Sequence, residues 1–243
     1  MLPSPIPDKR DIAASIAAVD DATTRLSAVV DTVRDGGPDA FTAPSLLPEW
    51  SIGHIVTHLA RNADGLRGVL DSAVAGELRT VYPSPAARVA DIEAGARRDT
   101  EEIAADFRNA VHRLADAVGG LPDDTWSATV DLGRGGPTTA DVILAARLGE
   151  VELHHHDLGV DAGLALLDDA RATRLLAALQ RSYVRTRQVD GMVLEPDGGR
   201  PITIGEGGPR VAGRAIDLAA WLAGRTDGSR LRSPAALPAL PSW

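Results

Sequence analysis

The side chains most able to do chemistry in this sequence are its histidines, and they are unevenly spread. Five of the six fall in two segments, WSIGHIVTHL and GEVELHHHDLG. Imidazole ligates divalent metals and moves protons near neutral pH, so this clustering asks for a chemical reason. Glu150 and His154 are four residues apart. On a helix they project from one face and can grip one ion, with a third ligand supplied by a facing helix. A set of histidine and carboxylate suits zinc or a similar divalent metal, and three protein ligands leave positions open for a reacting molecule. A plainer reading stands beside this one, because histidines at a helix end also complement the helix dipole. The register is open as well. Leu144, Leu148, Val151 and Leu158 define an apolar stripe that includes His155, and the pairs Glu150/His154 and Glu152/His156 flank it about equally. Ile143 tips the balance slightly towards Glu150/His154. His155 is expected to be a core histidine satisfied by a hydrogen bond, and His156 an exposed one.

These clusters need elements to carry them, and the punctuation of the chain supplies candidates. Ile12, Ile16, Val19, Leu26 and Val30 recur at helical spacing from about Asp11 to Asp35, where Gly36-Gly37-Pro38 breaks the pattern. Ser51 is a natural N-cap for a second helix to about Ala75, with Trp50 and Ile55 as its hydrophobic staple. His54 and His58 lie one turn apart on it. Ser84-Pro85 opens a third, long helix running to Gly119-Gly120, and Thr138 with Asp141 resembles a capping box for a fourth through Asp157, which Gly159 terminates. Four such helices predict an antiparallel bundle, an architecture whose interior recurrently holds metal sites. The pattern then changes. A helix over about Asp169–Gln188 is followed by short runs at Met192–Leu194 and Ile202–Ile204 around the turn Pro196-Asp197-Gly198-Gly199, which predicts a hairpin, and a last helix covers about Arg214–Ala223. The expected fold class is therefore α+β: a four-helix up-down bundle over 1–162, then a small α/β domain over 163–243.

Composition bounds the function. The chain has no cysteine, so disulfides, thiolate ligands and a protein-borne thiol nucleophile are excluded, and any thiol chemistry must use a borrowed thiol. The formal net charge of −9 argues against nucleic acid as a partner and obliges an anionic substrate to find a local cationic pocket. Its cations are arginines apart from Lys9. MLPSPIPDKRD lacks the basic and apolar regions of a signal peptide, and no stretch approaches the roughly 20 apolar residues of a membrane span, so a cytoplasmic protein away from the membrane is expected.

Taken in order, LPEWSIGHIVTHLARNADGL, VYPSPAARVADIEAGARR, RLGEVELHHHDLGV and AGRAIDLAAWLAGRTDG resemble the mycothiol-dependent maleylpyruvate isomerases over nearly the whole chain. The N-terminal half of that family is similar to the DinB-like metal-binding bundle. The resemblance implies metal ligands at His58, Glu150 and His154, with His54 a neighbour, and it selects the register that periodicity leaves open. It matches the family's SPxAR arginine with Arg88 and the arginine of its closing segment with Arg225. Asn62 and Tyr82 lie in matching segments without an implied role. The implied activity is conversion of maleylpyruvate to fumarylpyruvate, with a divalent metal, zinc the first choice, and mycothiol as cofactors and a small dianion as substrate. Arg225 and then Arg88 are the candidates to bind that dianion or its developing enolate, which would set the active site in a cleft between the two domains. A mycothiol S-transferase acting on another electrophile and a non-catalytic metal- or thiol-binding module are the alternatives.

Overall fold

The computed structural model describes residues 9–133, 135–184 and 189–240. They fall into two compact units, Met1–Asp161 and Ala162–Trp243, and the whole is a mixed structure of helices and small sheets. In the first unit the helices are α1 (Lys9–Arg34), α2 (Ile52–Val74), α3 (Pro85–Gly95), α4 (Thr100–Gly119) and α5 (Val142–Asp157). α2 packs on α4 and α5, and α1 packs on the same two helices. Leu26, Ile55, Leu59, Phe107, Ile143 and Leu153 fill the space between them and are fully buried.

The start of α2 is closely defined. The Ser51 hydroxyl accepts the His54 amide, and the Ser51 amide donates back to His54 Nδ1 at 3.1 Å. His54 thus completes a capping box, a role that glutamate or glutamine usually fills. Glu49, two residues upstream, has a positive φ of 66°, a conformation that is costly for a residue with a Cβ.

The long third helix expected over residues 85–119 is two helices. Asp99, extended at φ −68° and ψ 159°, accepts the Glu102 amide at 2.8 Å and caps α4 afresh. The reason for the break lies in α3, which packs closely on α2. A Cβ on Gly95 would stand 2.4 Å from Thr57 Cγ2, so only glycine permits this approach, and the chain must turn away before α4 can start. Likewise a Cβ on Gly65 would meet the Val81 carbonyl oxygen at 2.5 Å. These two glycines let the 79–84 connection and α3 lie flat against α2. The Thr138 capping box also fails. Thr138 pairs with Val130 in a small antiparallel ladder, β1 (Thr129–Val130) with β2 (Thr138–Thr139), so its backbone is committed to the strand. The N-cap of α5 is Asp141, without a side-chain capping bond.

In the second unit α6 (Asp169–Ala178) continues into a π-type turn at Leu179–Tyr183. The end of the helix expected to reach Gln188 lies outside the described residues. β3 (Met192–Pro196) and β4 (Ile202–Ile204) pair antiparallel with Met192 opposite Ile204, and β5 (Arg210–Gly213) adds parallel to β3, giving the order β4-β3-β5. β3 alternates buried and half-buried residues as a strand with one covered face should. β5 escaped the sequence reading because its four residues carry one buried aliphatic side chain, Val211, too little for a period of two to register. α7 (Ala215–Leu222) packs on α6, β3 and β5. Among the described residues no helix is long and apolar enough to cross a membrane.

Candidate metal centre

His58 on α2 and Glu150 and His154 on α5 converge inside the first unit, with one ligand atom from each lying within 4.8 Å of the others. His58 Nε2 is 2.8 Å and His154 Nε2 3.4 Å from the same Glu150 Oε2. Both imidazoles are buried, while the Glu150 side chain keeps 28% of its surface. The other flank of α5 turns elsewhere. Glu152 is buried against α1, where it accepts from Arg25 Nη2 at 2.5 Å. His155 is buried and paired with Asp161 Oδ2 at 3.0 Å, and His156 is half-buried.

The electrostatics prepare these groups for a cation. Burial pushes His58 down to about 4 against the opposing pull of Glu150, so at neutral pH it is uncharged. Burial alone would raise the Glu150 carboxyl, but hydrogen bonds from His154 and His58 outweigh it and hold the group well below the usual carboxylate range. For His154 burial acts downward, and the hydrogen bonds to Asp157 and Glu150 together lift it above the ordinary imidazole value. His154 Nδ1 donates to the fully buried Asp157 Oδ2 at 2.9 Å, which orients the ring so that Nε2 faces Glu150, donating to it while His154 is protonated and offering a lone pair once that proton is lost. A carboxylate behind a histidine is the usual support of a metal-ligating imidazole. Two imidazole nitrogens and one carboxylate, one imidazole oriented from behind, fit a divalent metal of the zinc kind.

Trp50 and Arg88 line the same place. The Trp50 ring, which the sequence reading paired with Ile55, stacks on His154 at 6.4 Å and meets His58 edge-on at 5.6 Å. The Arg88 guanidinium lies 5.9 Å from the Trp50 ring and 5.7 Å from the Tyr82 ring, within the range of cation–π attraction. Its Nη2 is 3.4 Å from His58 Nδ1. An arginine N–H can only donate there, which requires the His58 proton to sit on Nε2. A metal on Nε2 requires the opposite tautomer, so metal binding and this Arg88 contact exclude one another. Arg225 belongs to the second unit, where its Nη1 donates to the Ala223 carbonyl at 2.7 Å.

Three residues around the centre had no functional reading in the sequence. Asp157 is visible in hindsight as a carboxylate three residues after His154 on one helix. Trp50 carries no signal beyond its place before a cap. Arg147 is 1% exposed, and its Nη1 donates to the Leu59 carbonyl at 3.0 Å and to Asn62 Oδ1 at 2.8 Å. An arginine amid apolar helix residues reads as solvated until the fold shows it inside.

Residues 19–159 match the family described as the mycothiol maleylpyruvate isomerase N-terminal domain. No curated protein sequence matches the chain. Among solved structures, the crystal structure of the mycothiol-dependent maleylpyruvate isomerase superimposes with a TM-score of 0.78 and that of a histidine-to-alanine variant of it with 0.79. Each is 24% identical, and the match covers 96% of this chain and 97% of the other. The likeness of fold thus covers residues of both units, and the domain match spans more than half of the sequence. The chain therefore belongs to the mycothiol maleylpyruvate isomerase family.

Proposed function

We propose that this protein is a metal- and mycothiol-dependent cis–trans isomerase that converts maleylpyruvate to fumarylpyruvate, with His58, Glu150 and His154 as the metal ligands and zinc as the metal. The observation that carries the reading is the convergence of two buried imidazoles and a half-buried carboxylate beside Arg88 in a family member that has no cysteine of its own. We read the first unit as an up-down four-helix bundle of the DinB-like kind, the protein as a cytoplasmic one, and a small anion and mycothiol as its partners.

The chemistry follows from the substrate. A cis double bond becomes trans only if it is made temporarily single. A thiolate adds to one alkene carbon, the alkene electron pair moves into the conjugated carbonyl as an enolate, the new single bond rotates, and collapse of the enolate expels the thiolate. A divalent metal at the triad would lower the pKa of a thiol brought to it and hold the thiolate beside the alkene. Glu150, ionised, offers its lone pairs at neutral pH, His58, neutral, offers its Nε2 lone pair once its proton moves to Nδ1 and Arg88 is released, and His154 does so once its Nε2 proton is displaced. Asp157 keeps the His154 ring in place during that exchange. Arg88, released from His58 Nδ1, is free to pair with a substrate carboxylate or with the enolate oxygen, where charge-assisted bonds strengthen as charge develops. Arg225 keeps its place as a second anion-binding candidate on the resemblance of the closing LAGR segment.

The test is turnover. Purified protein loaded with zinc and given mycothiol should convert maleylpyruvate to fumarylpyruvate and return the mycothiol free. Accumulation of a mycothiol conjugate would reassign the protein to S-transfer, and absence of reaction with any thiol and electrophile would leave a binding module.

A further inference from the structure

Two hydrogen-bond donors beside the metal centre have nothing to donate to. Arg147 Nη2 and the Tyr82 hydroxyl are both cut off from solvent, and neither has an acceptor for its proton; Arg88, which acts on the Tyr82 oxygen, can only donate to it. Buried polar groups are nearly always satisfied, and such exceptions ask for an explanation. Both flank the triad: Arg147 stands three residues before Glu150 on α5 and holds Asn62, four residues after His58 on α2, while the Tyr82 ring lies 5.7 Å from the Arg88 guanidinium, itself 3.4 Å from His58 Nδ1. None of the neighbouring groups accepts from either donor. Glu150 Oε2 serves His58 and His154, Asn62 Oδ1 accepts from Arg147 Nη1, and Arg88 can only donate.

We propose that Arg147 Nη2 and the Tyr82 hydroxyl form a carboxylate-binding subsite next to the metal triad, taking one carboxylate of a small dicarboxylate. The ligand class follows from the donors: a guanidinium N–H and a hydroxyl proton, both without an acceptor, select an anionic oxygen. Both groups keep their protons at neutral pH, because burial lowers Arg147 only to about 10 and raises Tyr82 to about 12. The guanidinium is rigidly aimed, with Nη1 fixed by the Leu59 carbonyl and Asn62. Tyr82 sits on the connection ahead of α3 and is only half-buried as a residue, so rotation of its side chain admits a ligand oxygen. The subsite gives a use to the free end of a cation held inside the first unit: Nη2 meets the negative charge of the ligand, while Glu150, which already supports Arg147, stays with the two histidines. The proposal deepens the isomerase reading and rests on it for the identity of the dianion, but its first readout is direct binding, independent of turnover.

The experiment is calorimetric titration of maleate into the full chain, zinc-loaded and zinc-stripped, for the wild type, Tyr82→Phe, Arg147→Met and Arg147→Lys, with circular dichroism on each. Binding should survive removal of zinc, weaken about three- to tenfold in Tyr82→Phe, and weaken at least about tenfold in Arg147→Met and Arg147→Lys. Tyr82→Phe removes one oxygen from a half-buried residue and keeps the test decisive if the Arg147 variants do not fold. Wild-type affinity in Tyr82→Phe, no measurable maleate binding by the wild type, or loss of binding on stripping zinc each overturns the proposal. A protein that passes while failing to isomerise maleylpyruvate keeps the subsite and loses the isomerase assignment. One that isomerises with unchanged KM in Tyr82→Phe does the reverse.

Discussion

Replacing Asp157 by Asn isolates what a buried charge does for the metal centre. The side chain keeps its shape and still offers an oxygen to His154 Nδ1, so the 2.9 Å bond survives as a neutral one and the His154 tautomer is unchanged. What is lost is the negative charge behind the imidazole, which makes Nε2 a better donor. Supporting carboxylates of this kind are worth roughly ten- to a hundredfold in metal affinity, or about 1.4–2.7 kcal/mol. A second effect has the opposite sign. Asp157 is the strongest of the influences that lift His154 above the ordinary imidazole value, and a proton on His154 competes with the metal. In the wild type, each pH unit below that raised value therefore costs about tenfold in affinity, since one proton must be displaced. In Asp157→Asn the burial of His154 acts with less opposition, its protonation moves to lower pH, and that competition starts later. The variant should show its full ten- to hundredfold deficit in alkaline buffer, and the deficit should shrink as pH falls into the range where wild-type His154 is protonated. Zinc affinity measured by competition with a chromogenic chelator across the pH range tests this directly. A variant with wild-type affinity in alkaline buffer, or a deficit that grows on acidification, would refute the supporting role of Asp157.

The other predictions concern ligands, thiol and anion. His58→Ala, Glu150→Ala and His154→Ala should each lose most bound metal with helical circular dichroism largely retained, while His156→Ala keeps it; metal analysis of protein purified without a histidine tag gives the answer, and the reverse pattern for His154 and His156 would move the centre to the other flank of α5. Isomerisation should require added mycothiol and should not respond to prior alkylation of the protein, so full activity in thiol-free buffer would defeat the external-thiol mechanism. Arg225→Ala should lower kcat/KM about ten- to a hundredfold, the scale of one charge-assisted contact. Arg225→Lys should be nearly as poor, because lysine keeps the charge and loses the planar fork. Metal content should stay constant in both, and near-normal kcat/KM in Arg225→Ala would remove that residue from catalysis and leave Arg88.

Several features of this protein are settled by local chemistry and are therefore legible in one dimension. Ser51 caps α2 because a short hydroxyl side chain can reach its own helix's amides, and Ser84-Pro85 opens α3 for a similar reason. The hairpin of β3 and β4 follows from alternating side chains on either side of a turn. Glu150 and His154 share a face because they are four residues apart, whatever lies opposite them. Other features needed the partner elements. Periodicity could not say which flank of the α5 stripe faces inward to a facing histidine, since at 100° per residue Glu150 and Glu152 lie symmetrically about it. Arg25 on α1 takes Glu152, and His58 on α2 takes Glu150. The division of the expected long helix into α3 and α4 depends on Thr57, nearly 40 residues from Gly95 in sequence. The burial of Arg147 depends on a carbonyl and an amide of α2. Caps and spacings act over one helical turn, and the sequence carries them whole. The direction a helix face points, and the partners that make a buried charge tolerable, are set by contacts between segments far apart in the chain, and they come into being only when the helices pack.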